Sequence, residues 1–148
     1  VHGVLVDAGP LIALIDRRDK HHQRCVDALR GINDPLMSVW PAVVEAMYLL
    51  ERWHEQAALW ALIEAAPIRF AALDDEDVPR LRGLMSKYRD LPMDLADAAL
   101  VHVAERDGYR RIFTLDARDF EVYRLAGRER FKIMPAPDRG VRRGRARR

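Results

Sequence analysis

A chain of 148 residues, 49% hydrophobic and 32% charged, has the size and composition of one soluble globular domain with enough apolar material for its own core. Its single cysteine, Cys25, excludes an internal disulfide and a multi-cysteine zinc site, and it favours a reducing compartment. The net charge of +2 is unevenly placed: Arg139 to Arg148 holds 6 arginines and no acid, and the 19 basic residues left of 25 face 23 acids.

The elements follow in chain order. Gly3 to Val6 is a short apolar run suited to a buried parallel strand. Gly9 and Pro10 break it, and Leu11 to Ile15 starts a helix with the proline tolerated in its first turn. Lys20 to Leu29 is a second helical stretch, and a loop over Gly31 to Pro35 leads to a strand at Leu36 to Val39. Pro41 opens a helix to about Arg52, and His54 to Ala65 continues as another. Ile68 to Leu73 reads as a strand, Asp75 to Tyr88 as a helix, and Leu91–Pro92 as a turn. Met93 to Arg106 is a strong helix closed by Gly108. Strands at Arg111 to Leu115 and Phe131 to Met134 complete the set. Strands alternating with long helices predict a parallel sheet covered on both faces, with a domain over 1–135. Residues 136–148 read as a basic, disordered tail: either an electrostatic hook for nucleic acid or a solubilising end. No run reaches the ~18 apolar residues of a membrane span. The apolar opening lacks a preceding basic segment and is interrupted by Asp7, so a signal peptide is not expected.

In parallel sheets, ligands bind beyond the carboxyl ends of the strands. Asp7 follows the first strand directly, and Asp116 follows a later one in FTLD. Glu45 and Asp97 lie in the first turns of the helices opened near Pro41 and Met93, each within an otherwise apolar segment. Singly, each has an ordinary explanation: a turn residue, an N-cap, or, for Asp94 and Asp97 three residues apart, a cap with a helix-dipole partner. Together they are costly, because ionised carboxylates in apolar surroundings need a partner or a metal. Hard oxygen ligands without thiolates or clustered imidazoles suit Mg²⁺ or Mn²⁺, and a metal so held suits phosphoryl chemistry.

The ordered segments VLVDAGPLIAL, VVEAMYLL, LADAALVHVAE and FTLDARDF resemble the PIN-domain family, specifically the VapC-like toxins of bacterial toxin–antitoxin pairs. The likeness runs from about Gly3 to Met134. It implies an α/β fold, a Rossmann-like three-layer sandwich with a central parallel sheet. It also implies an Mg²⁺- or Mn²⁺-dependent endoribonuclease in the cytoplasm, neutralised by a cognate VapB-like antitoxin and commonly homodimeric. By the same resemblance Asp7, Glu45, Asp97 and Asp116 are the catalytic acids, with Asp7, Asp97 and Asp116 on the metal. Asp94, Thr114 and Asp119 are accessory. One departure stands out: many members carry Thr or Ser just after the first aspartate, where this chain has Ala8 and Gly9.

Other features are set aside. His21, His22 and Cys25 lack a second cluster at matching spacing, His54–Glu55 does not extend to HExxH, and there is no P-loop. His102 is expected to be a partly buried packing residue. Ser38 and Ser86 show no nucleophile context. Trp53, Trp60 and Leu49 are either core or the lining of a groove for a partner helix. Two competing functions remain. A haloacid-dehalogenase-type phosphatase needs a second aspartate after the first strand, and Asp7–Ala8–Gly9 lacks it. A binding module that kept the fold and lost the chemistry would tolerate Asp7→Asn.

Overall fold

The computed structural model describes residues 2–66 and 68–137. The basic run Arg139–Arg148 lies outside them.

Five strands form one parallel sheet: β1 (Val4–Val6), β2 (Leu36–Ser38), β3 (Arg69–Phe70), β4 (Arg111–Phe113) and β5 (Lys132–Met134), in the order β3-β2-β1-β4-β5. β1 lies at the centre and is wholly apolar because it is covered on both faces: Val4, Leu5 and Val6 are buried. Gly3 precedes it where a side chain cannot fit, since an added Cβ would lie 2.7 Å from a ring carbon of Tyr109.

Between the strands run α1 (Ala8–Ile15), α2 (His22–Arg30), α3 (Trp40–Leu49), α4 (Trp53–Ala65), α5 (Val78–Lys87), α6 (Leu95–Asp107) and the short α7 (Ala117–Phe120). These helices flank the parallel sheet and give a layered α/β sandwich. α1 packs on α2, α3 and α4, while α6 packs on α3 and α5. α6 is the most enclosed helix: Ala96 to Ala104 are all buried. Gly108 ends it in a left-handed conformation (φ 83°) that relieves its last carbonyls.

The winding direction reverses between β1 and β4. From β1 the chain steps outward to β2 and β3, and then returns across the sheet to β4 on the other side of β1. Such a reversal opens a crevice at the carboxyl ends of the two strands, the usual ligand site of an open parallel sheet.

Several boundaries differ from the sequence reading. The helix expected to run to Arg52 stops at Leu49, and its successor starts at Trp53. The stretch Asp75 to Tyr88 divides into a 3-10 turn (Asp75–Asp77), closed by an Asp74/Asp77 capping box, and α5. The strand expected over Ile68 to Leu73 pairs only at Arg69–Phe70. α7 lies in a stretch that the apolar pattern left unassigned.

Candidate active site

Asp7 leaves β1 at the reversal point and caps α1. Its Oδ1 accepts from the Ala8 amide at 2.8 Å, and its Oδ2 accepts from the Thr114 hydroxyl at 2.8 Å. The Thr114 oxygen in turn accepts from the Asp116 amide at 3.0 Å. One buried hydroxyl at the end of β4 thus fixes both the first acid and the backbone of the last. Beside them the buried Ser38 hydroxyl donates to the Val6 carbonyl at 2.7 Å, tying the end of β2 to the residue before Asp7.

Asp97 comes from α6. Asp94 is the N-cap of that helix and accepts from the Asp97 amide at 2.8 Å, so the capping explanation for Asp94 holds. The Asp97 carboxylate itself is buried and accepts at Oδ2 from the Tyr123 hydroxyl at 3.0 Å. The Tyr123 ring is fully buried, edge-on to Tyr88 and Phe120 at 5.0 and 5.1 Å between centroids. Tyr123 escaped the sequence reading because a lone tyrosine past a short helix carries no pattern. Glu45 is half-buried on α3, Asp116 is exposed at the start of α7, and Asp119 lies on α7 itself.

The electrostatics join these groups into one site. Burial pushes Asp7 up to about 7, against the hydrogen bonds from Thr114 and Ala8, with Asp116 and Glu45 adding repulsion. Burial, and then the charges of Asp7 and Asp94, raise Asp97 well above the carboxylate range. Glu45 is raised by desolvation and by Asp94 and Asp116; Asp116 is raised by desolvation and by Asp119 and Asp94. Burial also raises the Tyr123 hydroxyl, and Asp97 raises it further, so it remains a donor. The four expected acids, Asp94 and Asp119 therefore lie close enough to feel one another's charge, and Thr114 is bonded to Asp7. The candidate ligands are all oxygen, which suits a hard divalent cation. Among the described residues no group of three or more His, Cys, Asp or Glu side chains is already drawn together to hold an ion.

The residues set aside have structural places. Cys25 is a core residue, and burial pushes its thiol up to about 11. His22 Nδ1 lies 2.7 Å from the Ala13 carbonyl. His102 is buried as expected, but with a partner: its Nε2 lies 2.6 Å from Oδ1 of Asp77, which also accepts from Arg106 at 3.2 Å. Trp53, Trp60 and Leu49 are exposed rather than core. Arg17 and Arg18 line a separate cavity with Arg52 and His54, and none of the candidate acids lines it.

Comparison with known proteins bears on the family. The PIN domain model matches residues 4–127. The chain belongs to the PIN-domain family. Ribonuclease VapC26 of Mycobacterium tuberculosis is 30% identical over 135 residues, spanning 89% of this chain and 100% of that one. Among solved structures, this PIN domain is similar to Mycobacterium tuberculosis VapC20, described as a sarcin–ricin loop cleaving toxin. The TM-score is 0.70 at 15% identity, over 77% of this chain and 90% of that one. A toxin–antitoxin complex from Klebsiella pneumoniae matches with a TM-score of 0.62 at 18% identity, over 79% and 89% of the two chains. At those identities the two structures speak to the PIN-domain fold alone. No described helix is long and apolar enough to cross a membrane.

Proposed function

We propose that the chain is a divalent-metal-dependent endoribonuclease and the toxin of a VapBC-type toxin–antitoxin pair, acting in the cytoplasm on RNA phosphodiester bonds. The observation that carries this reading is the set of mutually repelling carboxyl groups at the β1/β4 reversal, with Asp7 held at about 7. The name of a relative 30% identical over 135 residues, a ribonuclease, supports it.

Asp7, Asp97 and Asp116 would hold Mg²⁺ or Mn²⁺. A bound ion of this kind makes a coordinated water more acidic and withdraws charge from the phosphate. The chain's own groups supply the rest. Thr114 and the Ala8 amide fix the carboxylate plane of Asp7. Tyr123 occupies one lone pair of Asp97 Oδ2 and so orients that carboxylate. Glu45, with its raised pKa, is the half-buried carboxyl suited to accept a proton from the attacking water.

The second half of the proposal is a protein partner. Tyr48 and Leu49 on α3 and Trp53 on α4 are 80%, 55% and 72% exposed, an apolar surface that a single copy leaves wet. We assign it to the VapB-like antitoxin, with homodimerisation as a further use of the exposed face.

The deciding experiment is cleavage of RNA by the purified chain with Mg²⁺ or Mn²⁺, with EDTA, and with Asp97→Asn. Cleavage that needs the metal and falls to the EDTA background in the variant is the expected result. Wild-type rates in Asp97→Asn would overturn the site. Tolerance of Asp7→Asn by an RNA-binding but non-cleaving wild type would instead favour the inactive-module reading.

A further inference from the structure

A groove of about 560 Å³ opens beside Asp116, between α2, the start of α7 and the segment after β5. Thr114 and Asp116 form the wall it shares with the acid site; Arg24, Arg118, Glu121 and Pro135 line the rest. We propose that this groove is the subsite for single-stranded RNA on one side of the scissile phosphate, with Arg24 and Arg118 on the flanking backbone phosphates. The proposal rests on the nuclease reading above and extends it to residues that reading leaves out.

A polyanionic strand led to the carboxyl edge of β1 and β4 meets the acidic side chains Asp7, Asp97 and Asp116 there. Phosphates on either side of the reacting one need neutralising elsewhere, and guanidinium groups do this with directed donors. The groove provides two from different elements. Arg24, on α2, donates through one terminal nitrogen to the Ala136 carbonyl. That contact holds its side chain in the wall, and the other donors of the guanidinium stay available. Arg118, on α7, is exposed and makes no hydrogen bond or ion pair among the described residues. The volume is of the order that buries a small molecule, enough for one or two nucleotides and far short of a duplex.

The charge balance makes each arginine count. Among the described residues two guanidinium groups face two carboxylates, Asp116 and Glu121, so losing either cation leaves that lining net negative. Arg24→Ala and Arg118→Ala are therefore expected to weaken binding several-fold each. Each should also lower the slope of log affinity against log salt by about 0.7, the value for one single-strand phosphate contact. Arg24→Lys keeps the charge and loses the planar fork, so it should bind between the wild type and Arg24→Ala.

The test uses the full chain carrying Asp97→Asn, so that RNA is bound and not cut, with a fluorescently labelled mixed-sequence single-stranded RNA followed by anisotropy over a range of salt. The wild-type chain in EDTA serves as a second background. Arg82→Ala, an exposed arginine of α5 outside the groove, is the control. Weaker binding and a shallower salt slope in both groove variants, with Arg82→Ala unchanged, support the subsite. Groove variants that match Arg82→Ala overturn it, while wild-type cleavage measured alongside keeps the nuclease reading standing. A wild-type chain that neither binds nor cuts RNA overturns both.

Discussion

Asp7 carries the charge conflict of this protein in its simplest form. Its pKa in the folded chain is about 7, above the unfolded value of 3.8. The native state therefore resists ionising it. Its favourable contribution is full below about pH 4 and is lost as pH rises through about 7. In metal-free protein, Asp7→Asn should accordingly raise stability at pH 8 by roughly 1–3 kcal/mol, the shift discounted for imperfect hydrogen bonding, and leave it nearly unchanged at pH 4. Thermal unfolding at the two pH values checks this. Added Mn²⁺ should stabilise the wild type more at pH 8 than at pH 6, because the ion competes with protons for the same oxygens. Tyr123 offers a second test. Tyr123→Phe keeps the ring against Tyr88 and Phe120 and removes only the donor to Asp97. We expect roughly tenfold weaker Mn²⁺ binding by calorimetry, in line with other groups that orient a ligand, with the fold retained. The four acids were legible because each is an acid at a strand end or within an apolar helix start. Tyr123 and Ser38 were not, because their roles depend on what the fold brings to their hydroxyls.

Helix α6 shows why pattern reading succeeds on some elements and fails on others. Its 13 residues include a nine-residue buried run, a capping aspartate and a terminal Gly108, each with a local signature. The four-residue α7 and the two-residue β3 are too short for any period to appear. The end of α3 was placed three residues late because Leu50 to Arg52 continue helix-forming residues without a glycine or proline to stop them. The cap of α6 also separates two roles of Asp94. Asp94→Asn keeps a side-chain acceptor for the Asp97 amide and should cost only a few tenths of a kcal/mol; Asp94→Ala should cost about 1 kcal/mol. Both variants remove the charge that helps raise Asp97, Glu45 and Asp116. Denaturant titration reads the cap, while the pH dependence of metal uptake reads the charge.

At the scale of the whole molecule, the reversal of the sheet sets the acidic edge, and α3 and α4 leave an apolar face exposed. Alternation of strands and helices was enough to foresee the sheet, but the order of its strands depends on how the chain crosses it, which composition and period do not encode. Tyr48→Ser and Trp53→Ser remove apolar surface that the fold does not bury. They should leave stability within about 0.5 kcal/mol and weaken binding of purified antitoxin, checked by denaturation and by titration.

The bond between Thr114 and Asp7 joins residues 107 positions apart, and Tyr123 arrives later still. Within this chain β1 is made well before β4 and α7. A nascent chain on the ribosome thus has its first acid exposed and uncommitted until β4 and α7 have emerged. The carboxylates at the sheet edge are therefore oriented by hydroxyls that only the closed sheet delivers, so no locally folded fragment holds the finished arrangement.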